Sequence, residues 1–405
     1  MIPPPALGRI CLVTHSGYPF ETRSRRMAEA LVECGYAVDV LCLRLPGQPA
    51  EEVLNGVHLF RLPVTRHQGA GATVYLREYI SFFLLASRQL LRMHRRHPYL
   101  LVQAHDPPDA LVFCTLPLKL GGTPVILDMR EIAPELFMSR FRLSRRSAVV
   151  RLLTLLERWA CAYAGAVIVT DEARQQVLID RGVRARQMIQ VLNCPDDRFN
   201  DSAGVPAAPD GQFVVFYHGG MLERYGVDLL VEAVGRLRGA IPGLRLELYG
   251  AGDFLPRVQA QVDASGLNDV VRFHGQRPLE ELPAAIAAAS VGVVPMRQDV
   301  FTDLVLPTKL MEYVAMGLPS LASRTYTTMR YFDDTMVGFF APGAVEELAG
   351  LLLADYRNPE AARARAARAT SFTALHNWRG QTQRYLKLVE CLTGDRSHDS
   401  HPSHS

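Results

Sequence analysis

At 405 residues the chain is long enough for two domains of roughly 150 to 200 residues, each with a core of its own. Apolar residues make up 48% and charged residues 21%, which excludes wholesale disorder, and a formal net charge of +3 gives no support to a nucleic-acid partner. The seven cysteines stand singly with no C-x-x-C pair, a pattern that points to a reducing compartment and away from a disulfide framework or a zinc site.

The opening MIPPPALGRICLVTH has three prolines and no basic lead-in, so it does not read as a signal peptide, and a cytoplasmic location is expected. Short β-branched runs then alternate with helical lengths. RICLVT (9–14) is followed by a helix over 21–34, and VDVLCLR (38–44) and HLFRL (58–62) continue the pattern. LLVQAH (100–105), PVILDM (124–129), AVIVT (166–170) and MIQVL (188–192) are further apolar runs, as expected of a parallel sheet buried on both faces. Residues 196–211 are rich in Pro, Gly, Asp and Ala and predict a linker between a first domain (1–195) and a second (212–375).

The alternation restarts with FVVFYHG (213–219), a helix over 227–237, LRLELYG (244–250), a helix ending at Ser265, and VVRFHG (270–275). A helix over 279–289, VGVVPM (291–296), a short helix over 308–316, LPSLAS (318–323), and helices over 345–356 and 376–392 complete it. The tail 393–405 is polar and patternless; its histidines are metal-capable, but a disordered, solvated tail is the expectation. No apolar run reaches about 18 residues without a charge, so no transmembrane helix is predicted.

In open α/β sheets ligands bind at the carboxyl ends of strands, which directs attention to the residues following each run. Those are Thr14 to Gly17, His105-Asp106-Pro107-Pro108, Asp128 to Glu131, His218-Gly219-Gly220, Gly250-Ala251-Gly252 and His274-Gly275. If the domains face each other, all six line one cleft. Gly219 and Gly220 have no Cβ to keep a phosphate from the backbone, Arg224 adds charge, and the helix from Val227 points its positive end the same way. A plain strand-to-helix turn has the same appearance. Gly250-Ala251-Gly252 lacks the later glycine and ribose-binding acid of a dinucleotide fingerprint, which sets nicotinamide cofactors aside.

In VLPTKLMEYVAMGLPS (305–320), Pro307 opens and Gly317 closes a helix that puts Thr308, Lys309 and Glu312 on one side. A carboxylate and an ammonium there suit ribose plus diphosphate; the alternative is a local Lys309–Glu312 ion pair. His105, kept extended by the following prolines, is a candidate to meet a sugar hydroxyl or a developing charge, or else a loop residue capping its neighbour. Asp128 and Glu131 are a carboxylate pair for acceptor binding or proton transfer, or a surface turn. Asp196-Asp197 and Asp333-Asp334 read as turn or cap residues, and no metal site is expected. Between Ser139 and Arg158 lie six arginines and one glutamate with leucines and valines at helical intervals, a pattern for a basic amphipathic helix touching an anionic membrane or for a solvated face. RQLLRMHRRH (88–97) is a second basic run in the same half.

These motifs together, THSGYP (14–19), VQAHDPP (102–108), LDMREIAPE (127–135), YHGGMLERYGVDLLVEAV (217–234), LELYGAGDF (246–254), VVRFHG (270–275) and above all PTKLMEYVAMGLP (307–319), resemble the retaining glycosyltransferases of family 4 over nearly the whole chain. The resemblance implies the GT-B fold, two Rossmann-like domains with a cleft between them, the first binding acceptor and the second binding donor, and a last helix including Trp378 crossing back to the first. It implies that Glu312 holds the donor ribose, that Arg224 and Lys309 face the diphosphate, that His105 lies by the transferred sugar, and that Gly17 leaves room for substrates. With Gly219, Gly220, Gly250, His274 and Thr308 these form the expected donor site, and Glu131 joins His105, Arg224 and Lys309 as a catalytic candidate. The chain departs from the family at Leu304, where a first glutamate is usual, and at Tyr225, where lysine is common.

The implied reaction transfers a hexose-type sugar from a UDP- or GDP-sugar to a lipid-linked, polysaccharide or small-molecule acceptor with retention, without a metal or other cofactor. A nucleotide-sugar epimerase of the same architecture and a catalytically silent sugar-nucleotide binder are the alternatives.

Overall fold

The computed structural model describes residues 7–65, 72–201 and 208–394. The chain divides into two compact units, one formed by residues up to Leu192 together with those from Gln381 onward, the other by Asn193–Gly380.

The first unit is built on strands β1 (Arg9–Gly17), β2 (Ala37–Leu43), β3 (Glu51–Leu54), β4 (Val57–Leu62), β5 (Leu101–His105), β6 (Val125–Met129), β7 (Ala166–Val169) and β8 (Met188–Gln190). Their order is β3-β4-β2-β1-β5-β6-β7-β8, parallel except for β3 against β4. Every residue of β5, β6 and β7 is buried, which is why these strands read as predominantly apolar runs, broken only by Gln103, His105 and Asp128. The strand β3 was not expected from the sequence. Its charged, exposed residues blunt a sheet edge, and it is joined to β4 by Asn55-Gly56, both with positive φ, the dipeptide that favours a tight hairpin.

Helices α1 (Thr22–Glu33), α2 (Ala72–Arg96), α3 (Leu116–Leu120), α4 (Ala133–Phe141), α5 (Ala148–Tyr163) and α6 (Glu172–Asp180), with a 3-10 segment Asp109–Thr115, make the connections. The single basic helix expected over 139–158 does not form. α4 stops at Phe141, Arg142 turns left-handed at φ 52°, and α5 restarts where the Ser147 hydroxyl accepts a hydrogen bond from Val150 N.

The second unit holds β9 (Phe213–His218), β10 (Leu244–Tyr249), β11 (Val271–Gly275), β12 (Val291–Val294), β13 (Ser320–Ser323) and β14 (Gly338–Phe340), all parallel in the order β11-β10-β9-β12-β13-β14. Its helices are α7 (Asp197–Asp201), α8 (Val227–Leu237), α9 (Leu255–Ala264), α10 (Leu282–Ala287), α11 (Thr308–Ala315), α12 (Tyr326–Tyr331), α13 (Val345–Arg357), α14 (Pro359–Ala369) and α15 (Ser371–Leu375). The helix expected over 279–289 is a 3-10 turn followed by α10, because Pro283 lacks an N–H and fits only the first turn of a new helix. The stretch expected as a linker contains the helical turn α7, and its residues 202–207, like most of the tail, lie outside the described residues. The last helix, α16 (Trp378–Thr393), belongs from Gln381 on to the first unit. There Gln381 Oε1 accepts from Leu192 N and Tyr385 Oη donates to Gln103 Oε1.

In each sheet the strand order reverses beside the central strand, between β1 and β5 and between β9 and β12, so the carboxyl ends of β1, β5 and β9 are where a doubly wound sheet leaves a crevice.

Candidate functional site

In the second unit β9 runs out into Gly219, whose φ of +109° only glycine holds without strain. Gly219 N donates to Tyr249 O, and a Cβ on Gly250 would stand 1.9 Å from the Gly219 carbonyl oxygen. The loops after β9 and β10 are thus laid backbone against backbone. α11 supplies the side chains beneath them: Pro307 is its cap and Gly317, at φ +70°, follows its end. Lys309 Nζ donates to Tyr217 Oη at 2.8 Å and sits 4.0 Å from the centre of that ring, while Tyr217 Oη donates to Gly220 O at 2.6 Å. A Cβ on Gly219 would lie 3.2 Å from Lys309 Nζ, so the ammonium is directly under the glycine turn. Burial pushes the Lys309 ammonium down to about 7, with Glu312 opposing the shift.

Glu312 Oε2 is 3.0 Å from His218 Nε2, with both side chains nearly enclosed, yet the two atoms are off the line of a hydrogen bond and neither has another partner. Both therefore keep unspent hydrogen-bonding capacity in a buried place, the condition a hydroxyl-bearing ligand relieves. Lys309 and Glu312 turn to neighbouring residues of β9, and among the described residues they form no ion pair with each other. Thr308, the first residue of α11, is half-buried beside them.

Arg224 lies in the 3-10 turn before α8, with its guanidinium 5.2 Å from the centre of Phe301 and 5.7 Å from that of Tyr225. Tyr225 in turn lies 5.1 Å from Lys309 Nζ and against Gly220. Arg297 braces this turn by donating its backbone N–H to Arg224 O and its guanidinium to Asp228 at 2.7 and 2.6 Å. His274 pairs through Nε2 with the Glu247 carboxylate and stacks on Tyr249, ring centres 4.1 Å apart. Asp303, next to Leu304, accepts from the Gln298 amide and from Tyr326 N, so its carboxylate ties its own loop to the start of α12. Asp333 accepts from Thr335 N, Asp334 pairs with Arg324 and Asp196 with Arg198, all local contacts.

In the first unit His105 closes β5 and is fully buried. Its Nδ1 is 2.8 Å from Asp128 Oδ2 and its Nε2 is 3.2 Å from Gln103 Nε2. Arg23 donates to both oxygens of Asp128 and to Val191 O. Burial raises the Asp128 carboxyl, but Arg23 and His105 outweigh it and hold the group well below the usual carboxylate range. An ionised Asp128 fixes the proton on Nδ1, so Nε2 accepts from the Gln103 amide, whose oxygen is then left to accept from Tyr385. Every link of the chain Tyr385–Gln103–His105–Asp128–Arg23 is satisfied, and both ring nitrogens of His105 face protein.

Asp106 accepts from the backbone N–H groups of Arg130 and Glu131, and burial raises it to about 7 despite Arg130. Glu131 is partly exposed, 4.0 Å from Arg174, so Asp128 and Glu131 are held by different partners. Gly17 ends β1, its carbonyl accepting from Glu21 N ahead of α1. A cavity of about 470 Å³ between β8 and α16, lined by Gln175, Gln190, Arg384 and Lys387 among others, includes none of these residues. Among the described residues no three His, Cys, Asp or Glu side chains gather as a metal site, and none of the seven cysteines forms a disulfide.

Sequence reasoning missed Tyr217, which carries the hydrogen bond from Lys309 to the glycine turn, and the partners of His105. Gln103 left a signal, being a polar residue inside an otherwise apolar buried strand. Arg23 and Tyr385 left none, since each sits on a helix among other polar residues.

Residues 20–194 match the family model of the glycosyl transferase 4-like domain and residues 212–358 that of the glycosyl transferases group 1. The chain belongs to glycosyltransferase family 4 and has the GT-B fold. A GDP-mannose-dependent α-(1-6)-phosphatidylinositol monomannoside mannosyltransferase of Mycolicibacterium smegmatis is 33% identical over 182 residues, 44% of this chain. That match spans less than half of the mannosyltransferase's own length, 46%. Among solved structures, sucrose-phosphate synthase of Thermosynechococcus elongatus superposes with a TM-score of 0.76 at 19% identity, over 96% of this chain and 100% of that one. HepE of Anabaena in complex with UDP-glucose gives 0.71 at 15% identity, over 95% and 100%. At these identities the two structures speak for the fold of this glycosyltransferase and not for its substrates.

Proposed function

We propose that this glycosyltransferase moves a hexose-type sugar from a UDP- or GDP-sugar to a lipid-linked, polysaccharide or small-molecule acceptor with retention of anomeric configuration. The observation that carries the reading is the arrangement under the Gly219 turn: a largely enclosed lysine of lowered basicity and a largely enclosed glutamate whose Oε2 has hydrogen-bonding capacity to spare, one helical turn apart. The diphosphate takes Lys309 and the glycine backbone, with Arg224 and the positive end of α11 adding charge, and the ribose hydroxyls take Glu312. Gly250, Thr308 and His274 border this site, Gly17 leaves room for the substrates, His105 lies by the transferred sugar with Glu131 as a further catalytic candidate, and the first unit receives the acceptor. The GDP-mannose dependence of the mycobacterial relative and the complex of HepE with UDP-glucose support both nucleotides as candidates.

In the reaction the bond from the anomeric carbon to the diphosphate oxygen breaks as the acceptor oxygen bonds to the same face, and the acceptor proton passes to the departing phosphate. Negative charge grows on the diphosphate, where preorganised cations stabilise it without a metal. His105, held between Asp128 and Gln103, positions the strand end. The test incubates the full chain with labelled UDP- and GDP-sugars, with and without lipid-linked acceptors and with a chelator present, and reads the product anomer by NMR. Retained transfer supports the proposal; an epimerised donor, or binding without turnover on every acceptor, replaces it with one of the two alternatives.

A further inference from the structure

The side of the first sheet that carries α2, the Asp109–Thr115 segment and α5 has an unusual outer surface. The crossovers β4–α2–β5 and β6–α5–β7 move the same way across the sheet, and right-handed connections put both helices on one side. Their packing agrees: α2 buries Phe82 and Leu90 against Leu111, and α5 buries Ala160 against Val112, so both lean on the same 3-10 segment. On the outer face of α2, Leu76, Ile80 and Leu84 follow at four-residue intervals with 59%, 51% and 61% of their surface exposed. On α5, Leu152, Leu155 and Trp159 form a second stripe at 55%, 38% and 55%. Residues three and four apart share a helix face, so each helix presents a continuous apolar ridge to solvent.

The exposed charge of these two segments themselves has one sign. Between 72 and 96 and between 140 and 163 there are eleven arginines, all exposed, and the only acids, Glu78 and Glu157, are both buried, Glu157 being paired with Arg181. Arg77, Arg88 and Arg95 run beside the α2 ridge, and Arg145, Arg146 and Arg151 lie at the start of α5.

We propose that this face docks on an anionic phospholipid bilayer, the two ridges entering the boundary between headgroups and acyl chains while the arginines meet lipid phosphates. Charge complementarity selects the occupant, because eleven exposed arginines on two segments that expose no acid of their own call for a densely anionic partner. The apolar side chains select its texture. They stand singly on convex helix faces, which a fluid bilayer accommodates side chain by side chain, whereas a protein partner needs a fitted pocket for each anchor. Arginines extend their aliphatic stems along the ridges and keep their heads in the headgroup layer. No described helix is long and apolar enough to cross a membrane, so the contact lies on the surface. The surface is assigned from α2 and α5 together, not from one basic helix over 139–158, and it does not rest on the donor reading.

The test uses the full chain with vesicles of phosphatidylcholine alone and of phosphatidylcholine mixed with phosphatidylglycerol. Trp159 is one of two tryptophans and the other, Trp378, is buried, so a blue shift of emission lost in Trp159→Phe reports on this face. The expected result is co-sedimentation with the anionic vesicles only, weakened by salt, with the Trp159 blue shift. Arg77→Gln, Arg88→Gln and Arg151→Gln together lower partitioning roughly a hundredfold, each basic residue near such a surface contributing about fivefold. Leu84→Ser, Leu152→Ser and Trp159→Ser together abolish it without changing the thermal melt, since all three are exposed. Absence of association with anionic vesicles at low salt, equal binding by the apolar variant, or self-association through this face in place of vesicle binding overturns the proposal.

Discussion

Lys309 makes the donor site sensitive to pH in a direction that can be worked out. Burial pushes its ammonium down to about 7 against 10.5 for a free lysine, a difference worth about 5 kcal/mol of disfavoured charge. An unfolded chain keeps this proton up to 10.5 and the folded one only to about 7, so the folded protein gains stability as pH rises through that window. Lys309→Met lacks that dependence and is relieved of the cost below pH 7. A bound diphosphate restores the charge by placing two anionic phosphates against the amine. Below about pH 7 binding therefore needs no proton, while above it binding takes up as much as one, and affinity falls by up to about tenfold per pH unit. A sugar nucleotide is the right probe because both its phosphates are esterified and keep constant charge across this range. Titration calorimetry at pH 8 in two buffers of different ionisation enthalpy reads the proton directly. Zero uptake, with affinity flat from pH 6 to pH 9, would refute the placing of Lys309 against the diphosphate.

Other consequences are as definite. Glu312→Ala removes a charged acceptor from the ribose hydroxyls and weakens sugar-nucleotide binding by about 1.5–3 kcal/mol, measured by equilibrium titration; unchanged affinity removes the ribose assignment. Asp128→Asn leaves the Arg23 guanidinium buried without its carboxylate and lowers unfolding free energy by about 3–5 kcal/mol in denaturant melts, where a loss below about 1 kcal/mol contradicts the relay. Tyr385→Phe frees the Gln103 oxygen and costs about 1–3 kcal/mol of stability, restored in part if Gln103 is replaced by an apolar residue in the same chain. Gly250→Ala forces a Cβ into the Gly219 carbonyl and abolishes nucleotide binding while the melt of the first unit is unaffected.

Much of the architecture was legible because buried parallel strands leave a plain trace. β5, β6, β7 and β9 are buried from end to end and mostly apolar, and helices such as α11 are bounded by recognisable residues, Pro307 at its start and Gly317 after its end. What escaped was short or interrupted. The strand β3 is four mostly exposed residues, detectable only through Asn55-Gly56, and the break after Phe141 hides inside a run of leucines and arginines whose spacing looks helical throughout. The site was half legible for a related reason. Gly219, Gly250, Lys309 and Glu312 announce themselves by residue type next to a strand end or a helix start. Their tuning does not, because Tyr217 and His218 lie nearly a hundred residues earlier in the chain, and periodicity carries no information about partners at that distance. His105 shows the limit most clearly: its position at a strand mouth suggested a group to meet a sugar hydroxyl or a developing charge, or a loop residue capping its neighbour, and tertiary packing adds Asp128 and Gln103 as the partners of its ring nitrogens.

The central claim is that the second unit grips a nucleoside diphosphate sugar through the turn after β9 and the first residues of α11. Photoaffinity labelling of the full chain with azido analogues of UDP- and GDP-sugars, followed by peptide mapping, tests it at the atoms concerned. The account predicts label on peptides from the 212–330 region, competed by unlabelled donor and lost in the Glu312→Ala protein. Competable label found solely on peptides of the first unit, with 217–225 and 308–316 unmodified, would contradict it.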